Sequence, residues 1–311
     1  MCTVIAYRPQ KSYVGRNLDL EYHYDETLTG MPRNFPFAFR QAATSALPYA
    51  MLGMAYTPDK VPLFYEAVNE RGLYMAGLNF PLEAVYQPLC RDKENVAPFE
   101  MIPWVLRQCA TVSEATHLLR RTNVAAMAYS ETLSLTPLHW FLADTVESAA
   151  VEPLADGLQV FSDPADVLTN SPALPGQLTR LAEHTAVSSA SPLPLFGSVP
   201  VPLYSRGLGG VGLPGDFSSA SRFVKAAFVR QVAVCDGSER QSVPQMFHML
   251  ATVAHPRGCV RTAEGKEQLT VYSSCCCLET GMWHYRFYDD LTMRAASFAD
   301  FDRDSREVVR L

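Results

Sequence analysis

The chain has 311 residues, 48% of them apolar and 19% charged, with a formal net charge of −6. That length and balance describe a folded protein with a sizeable core, not a disordered segment, and the lack of any concentrated basic stretch argues against nucleic acid as a partner. The amino terminus has no basic n-region and no long apolar stretch, and no run approaches a spanning helix, so a cytoplasmic location without a membrane partner is expected.

Cys2 to Tyr7 alternates small and apolar residues, and residues 12–17 follow after Arg8-Pro9-Gln10-Lys11, which predicts a β-hairpin. It carries Cys2 on its first strand and Arg16 and Asp19 at the end of its second. Residues 22–34 are polar and aromatic and read as a loop. Short strands are predicted at 49–56, 63–69 and 73–79, with turn chemistry at Asn69-Glu70-Arg71-Gly72. From Pro98 the period becomes helical, with Phe99, Ile102, Leu106 and Cys109 on one face. A second helix is expected over 113–121 with Ser113 as its N-cap. Strands resume at 138–143, 148–152 and 158–161. Helices follow near Ala173, near Ser218 and over 243–254, and the last third returns to strands at 268–278, 283–288 and 292–297. Runs of strands separated by runs of helices indicate an α+β layered architecture. The glycine-rich run Gly207-Leu208-Gly209-Gly210-Val211-Gly212 does not follow a strand, so it is no phosphate loop. Residues 185–216 form one long Pro/Ser/Gly/Val-rich stretch. It is either a flexible linker or, given Leu193, Leu195, Phe196, Val199, Val201 and Leu203, a segment that packs on another subunit.

Cys2 directly follows the initiator methionine and is small enough for Met1 to be removed. The residue would then hold a thiol and a free α-amine together, a nucleophile with its own base. Arg16 would act on the thiol as a fixed cation, and Asp19 would hold the amine. On these residues alone, Cys2 as a plain small residue in a mobile terminus remains open. The eight cysteines show no CxxC pair, and adjacent Cys275, Cys276 and Cys277 on a strand read as buried apolar-like thiols. The histidines form no HxxxH or HxH pair, so no metal is expected. Ser218 and Ser219 lie outside any GxSxG elbow.

Four further runs each place an amide or guanidinium at the end of an element: Gly77-Leu78-Asn79-Phe80-Pro81, Leu168-Thr169-Asn170-Ser171-Pro172, Leu213-Pro214-Gly215-Asp216-Phe217-Ser218 and Ser221-Arg222-Phe223. Such donors suit a tetrahedral oxyanion, although Asn79 and Asn170 also fit ordinary Asx turns, and Arg222 an ordinary surface ion pair. Together with Cys2 and Gly15-Arg16-Asn17-Leu18-Asp19, and in this order, they resemble the choloylglycine hydrolase family of N-terminal-nucleophile (Ntn) hydrolases, which includes bile salt hydrolases and penicillin V acylases. The resemblance spans nearly the whole chain. It implies a single Ntn-hydrolase domain over 1–311, an αββα four-layer sandwich of two antiparallel sheets between helix layers, and no cofactor. It further implies Cys2 as nucleophile, Arg16 and Asp19 as the groups that position and activate it, Asn170 with the backbone at Asn79 as oxyanion donors, and Arg222 completing the charged cluster. Bile salt hydrolases tend to carry Asn where penicillin V acylases carry Tyr, and here the residue is Asn79. The run Tyr204-Ser205-Arg206-Gly207-Leu208-Gly209 also resembles bile salt hydrolases, and residues 185–210 look like the extension that interlocks a homotetramer.

The expected activity is therefore amidase cleavage of glycine- or taurine-conjugated bile salts. The alternatives are penicillin V or N-acyl-homoserine lactone acylase, and a non-catalytic ligand-binding homologue in which Met1 stays attached. A rigid steroid needs a wide apolar site on loops near Cys2, and Leu18, Tyr24, Phe64, Tyr65, Leu133 and Leu135 are the candidates to line it.

Overall fold

In the computed structural model, which describes residues 1–42 and 48–311, the alternation at the amino terminus produces the expected hairpin from Cys2–Tyr7 and Tyr13–Leu20. The second strand runs further than the pattern suggested, and its register sets Cys2 opposite Leu18 and Val4 opposite Arg16. Paired residues of antiparallel strands share a face, so Cys2, Val4, Arg16 and Leu18 point to one side. Thr3, Asn17 and Asp19 point to the other.

Among the described residues this hairpin belongs to a seven-stranded sheet whose main path runs Val167–Leu168, Cys2–Tyr7, Tyr13–Leu20, Glu267–Cys277, Met282–Phe287 and Arg294–Ala296, with Val260–Arg261 pairing the long strand off that path. A second, eight-stranded sheet runs Gly157–Ser162, Ser148–Leu154, Leu138–Ala143, Tyr74–Asn79, Leu63–Asn69, Met51–Tyr56, Thr27–Met31 and Val309–Arg310. All neighbours within each sheet are antiparallel. The period-two alternation decides which layer each side chain joins. Tyr74, Ala76 and Leu78 pack toward the first sheet, whereas Leu73 and Met75 join the cluster under the helices Met101–Leu106 (α1) and Val112–Arg120 (α2). On the far side of the first sheet lie Leu174–Leu181 (α3), Ser219–Val232 (α4) and Glu239–Ala251 (α5). The result is the four-layer αββα sandwich. Gly15 allows α5 to lie close, since a Cβ there would come within 2.5 Å of Met246 Cγ and Sδ.

Several local expectations give way to tertiary context. The stretch 22–34, expected as a loop, contains the strand Thr27–Met31, whose alternation is masked by threonine and glycine and which is fixed by its neighbours on both sides. The helix expected from Pro98 to Cys109 is a 3-10 turn, Pro98–Glu100, followed by the short α1, which ends at Leu106. Ser113 is not the cap of α2: Thr111 Oγ1 accepts from Glu114 N at 3.1 Å, and the helix begins at Val112. The last helix starts four residues earlier than its pattern suggested and holds Pro244. The carbonyl that proline leaves without an N–H belongs to Arg240, an exposed residue in the first turn. The parallel pair Glu94–Val96 with Thr122–Val124 gave no sequence signal. Cys275, Cys276 and Cys277 are buried on the long strand. No helix among the described residues is long and apolar enough to cross a membrane.

Candidate active site

The hairpin register delivers the Cys2 thiol and the Arg16 side chain into the space between the two sheets. Arg16 is fully buried. Its Nη2 donates to Cys2 Sγ at 3.1 Å and to the Gly77 carbonyl at 2.7 Å, and its Nη1 donates to the Tyr65 carbonyl at 2.5 Å. The Tyr65 carbonyl is free for this because Tyr65 is the extra residue of a β-bulge, with Met54 opposite Glu66 and Ala55 opposite Phe64. Burial disfavours the Arg16 charge, but Cys2, Tyr272 and Glu66 outweigh it and hold the guanidinium above its ordinary range. Glu66 is itself buried and accepts from Ser274 Oγ at 2.7 Å and from the Tyr74 hydroxyl. Burial pushes its carboxyl up, against the opposing pull of Arg16 and those hydroxyls.

A second knot lies beside the Cys2 backbone. Arg222, in the first turn of α4, donates Nη1 to the Cys2 carbonyl and Thr3 Oγ1, both at 2.6 Å, and Nη2 to Asn170 Oδ1 at 2.6 Å. A guanidinium cannot accept, so the Asn170 atom facing it is the oxygen. That oxygen also accepts from Cys2 N at 3.0 Å. The amide nitrogen is thereby turned outward, and it donates to the Asn79 carbonyl at 2.6 Å. N–H and C=O of one strand residue point the same way, so the Asn79 N–H opens toward the same edge. Burial pulls the Arg222 guanidinium down from its ordinary value, partly opposed by Asp19 and Cys2.

Asp19 sits on the opposite face of the hairpin from the thiol. Its backbone brackets Met1, accepting from Met1 N at 2.6 Å and donating to Met1 O at 2.9 Å. Oδ1 accepts from Thr270 Oγ1 at 2.6 Å, next to a second bulge at Val271. Among the described residues Oδ2 is buried without a hydrogen-bond partner, and it lies 3.9 Å from Nε2 of His255. Neither His255 nor Glu66 was among the residues expected at the site. A charged residue at an inward position of the strand Leu63–Asn69 was the available signal for Glu66, whereas His255 lies in irregular chain between α5 and the strand Val260–Arg261.

A cleft of about 320 Å³ opens beside Arg16, its wall including Tyr65 and Gly77, whose carbonyls hold that guanidinium. Tyr24, Phe64, Tyr65, Leu133 and Leu135 line it, together with Tyr56, Phe99, Ile102, Met127 and Tyr129, which were not among the expected lining residues. Leu18 does not line it. Its place opposite Cys2 drives it into the core between the sheets, where only 2% of it is exposed. No cluster of His, Cys, Asp and Glu among the described residues is placed to hold a metal ion.

A profile of linear amide C–N hydrolases, choloylglycine hydrolase family, matches residues 2–310. The chain is 40% identical over 310 residues to the bile salt hydrolase/transferase of Lactiplantibacillus plantarum, covering 99% of this chain and 96% of that protein. Among solved structures it superposes on a variant of the conjugated bile acid hydrolase from Clostridium perfringens with a TM-score of 0.92 at 33% identity, covering 100% of this chain and 96% of that one. Penicillin V acylase from Agrobacterium tumefaciens shares the fold, with a TM-score of 0.77 at 20% identity over 99% and 90% of the two chains.

His255 gives the site a pH signature. Burial holds the imidazole down at about 4 from the usual 6.5, helped by Arg222 and opposed by Asp19. Between those values the unfolded chain binds a proton that the folded chain refuses, so this contribution to stability is present above the usual value and is lost as pH falls through the window. Urea unfolding at several pH values from 4 to 6.5 should show a steeper loss in the wild type than in His255→Gln. Equal slopes would contradict this.

Proposed function

The chain belongs to the choloylglycine hydrolase family, and from that premise we propose that it is a cysteine Ntn-hydrolase that cleaves the amide joining a bile acid to glycine or taurine. The single observation that carries this reading is a Cys2 thiol 3.1 Å from a fully buried guanidinium, whose carbonyl partners Tyr65 and Gly77 belong to the wall of a cleft of aromatic and aliphatic side chains. The relatives' substrates agree with it.

Removal of Met1 turns the Cys2 nitrogen into a free amine at a position where Asn170 Oδ1 already accepts from it. Asp19, whose Oδ2 lacks a partner, holds that amine in its basic orientation. The amine takes the thiol proton while Arg16 steadies the sulfur. Sulfur attacks the amide carbon, and the carbonyl electrons pass to oxygen. The second N–H of Asn170 Nδ2 and the Asn79 N–H receive that oxyanion. As the tetrahedral centre collapses, the C–N bond breaks and the Cys2 ammonium gives its proton to the departing glycine or taurine. Water then hydrolyses the thioester and restores the thiol. An amine arriving in place of water would yield acyl transfer, the second activity in the name of the Lactiplantibacillus relative. Arg222 anchors the Cys2 carbonyl and Asn170 to each other throughout.

The acyl half fits the cleft of Tyr24, Phe64, Tyr65, Leu133 and Leu135, a lining that suits a flat apolar steroid. The amino-acid half faces solvent, so glycine and taurine conjugates are both accepted. The cytoplasm, where Cys2 stays reduced, suits this chemistry. Assembly into a homotetramer fits residues 185–210. Phe196 is 80% exposed on a small hairpin, Leu195–Phe196 with Val199–Pro200, and Leu193 and Tyr204 in the flanking chain are 77% and 87% exposed, apolar surface of the kind that a neighbouring subunit covers.

Mass spectrometry of products from glycocholate, taurocholate, penicillin V and acyl-homoserine lactones tests the activity. The expected outcome is free bile acid plus glycine or taurine as the fastest reaction, with Cys2→Ser lowering it by at least about 10³-fold. Faster release from penicillin V or a lactone would contradict the substrate class. Deleting residues 188–201 should convert a tetramer to smaller species by sedimentation with the far-UV spectrum unchanged. A monomeric wild type, or a tetramer that survives the deletion, would contradict the assembly.

A further inference from the structure

The chemistry above makes no use of His139, although its ring is fully buried in the second sheet, opposite Leu78. Nε2 lies 3.0 Å from the Thr169 carbonyl, and Nδ1 lies 3.1 Å from Glu152 Oε1. A carbonyl oxygen only accepts, so Nε2 carries a proton, and the contact with Glu152 is held by a second proton on one atom or the other. In either state His139 donates to Thr169. Phe80 lies flat against the same ring, with centroids 4.1 Å apart and planes at 6°.

Thr169 and Phe80 are the immediate chain neighbours of Asn170 and Asn79. One ring therefore grips both backbone segments just beside the 2.6 Å contact from Asn170 Nδ2 to the Asn79 carbonyl. Glu152 extends the grip, because its carboxyl also accepts from Leu174 N at the start of α3, at 3.1 and 3.2 Å. The same two segments are joined again by Ser171 Oγ to the Pro81 carbonyl at 2.5 Å and by Ala173 N to Glu83 Oε2 at 2.8 Å. A stack alone would serve packing, and a phenyl ring would supply it without the desolvation that a buried polar pair incurs. What the pair adds is direction: it fixes where the Thr169 carbonyl points, and so how Asn170 is presented.

We propose that His139 and Glu152 are a positioning pair for the oxyanion site, acting through Thr169 and Phe80 without touching the substrate. The proposal rests on the placement of the oxyanion at Asn170 and Asn79 given above. A displacement of 1 Å at a reacting centre costs about 10²-fold in rate, which sets the scale of the expected loss.

The test compares His139→Phe, which keeps the stack on Phe80, with His139→Gln, whose amide N–H still reaches Thr169. The readouts are kcat and KM for glycocholate, inhibition by the aldehyde analogue of cholate, whose adduct with Cys2 puts an oxygen in the oxyanion site, and binding of cholate itself. His139→Phe should lower kcat by about 10²-fold with KM and cholate affinity nearly unchanged, and weaken the aldehyde by a similar factor. His139→Gln should recover most of that loss. Wild-type kcat in His139→Phe, or a loss shared equally by KM and cholate affinity, would overturn the proposal. Should His139→Phe not fold, His139→Asn, too short to reach Thr169, carries the same comparison with the same outcomes. Asn170→Ala measured alongside separates the two claims. Full kcat there overturns the oxyanion placement and the pair's role with it, whereas loss there with kcat kept in the His139 variants overturns the positioning role alone.

Discussion

A guanidinium sealed between two β-sheets constrains everything around it. Arg16 is fully buried, and an uncompensated buried charge costs several kcal/mol even after relaxation. The fold supplies acceptors from three separate strands: the Cys2 sulfur, the Tyr65 carbonyl and the Gly77 carbonyl. Each depends on a different irregularity or register. The hairpin must pair Val4 with Arg16, the bulge must turn out Tyr65, and ladder pairing of Leu63–Asn69 with Tyr74–Asn79 must stop at Glu66 and Ala76 so that Gly77 is left open. The same arrangement that gives both Nη atoms their acceptors places the thiol against the cation. Under the proposed chemistry, structure and reactivity are here one requirement.

The second constraint is length of chain. The groups around Cys2 come from positions 16, 79, 170 and 222, so no local segment can form the site. Asn170 joins them because it both accepts and donates: its oxygen takes Arg222 and Cys2, and its nitrogen takes Asn79. Each bond fixes the role of the next, since Arg222 can only donate. Ser219 at the start of α4 adds a further tie, accepting from Asn170 N at 2.9 Å, so the helix that brings Arg222 also fixes the Asn170 backbone. Under the proposed chemistry, the two groups that would face one oxyanion are thus held by the first sheet, the second sheet and a helix together.

Much of this was legible in the chain itself where physics acts locally. The alternation of Cys2–Tyr7 and the helical periods near Ser218 and Ala173 announce their elements, and the run of motifs from Cys2 to Arg222 announces the family. What stayed hidden depends on distant partners. Thr27–Met31 is a strand only because Met51–Tyr56 and Val309–Arg310 flank it. Leu18 fits a pocket by its chemistry and a core by its register, and register decided. Glu66, His139 and His255 are ordinary in sequence. They become notable only once burial leaves a carboxyl among hydroxyls, an imidazole between a carboxyl and a carbonyl, and an imidazole 3.9 Å from a carboxyl oxygen with no partner.

The central claim is that Cys2, freed of Met1, is the nucleophile beside Arg16. The most direct measurement is intact-protein and peptide mass spectrometry after treatment with the diazomethyl ketone of cholic acid, followed in parallel with activity. The account predicts one steroid adduct per chain, on the sulfur of an amino-terminal Cys2 lacking Met1, with activity lost in proportion to labelling and protected by glycocholate. Full activity in a chain that retains Met1, or inactivation by an adduct on any other residue, would contradict it.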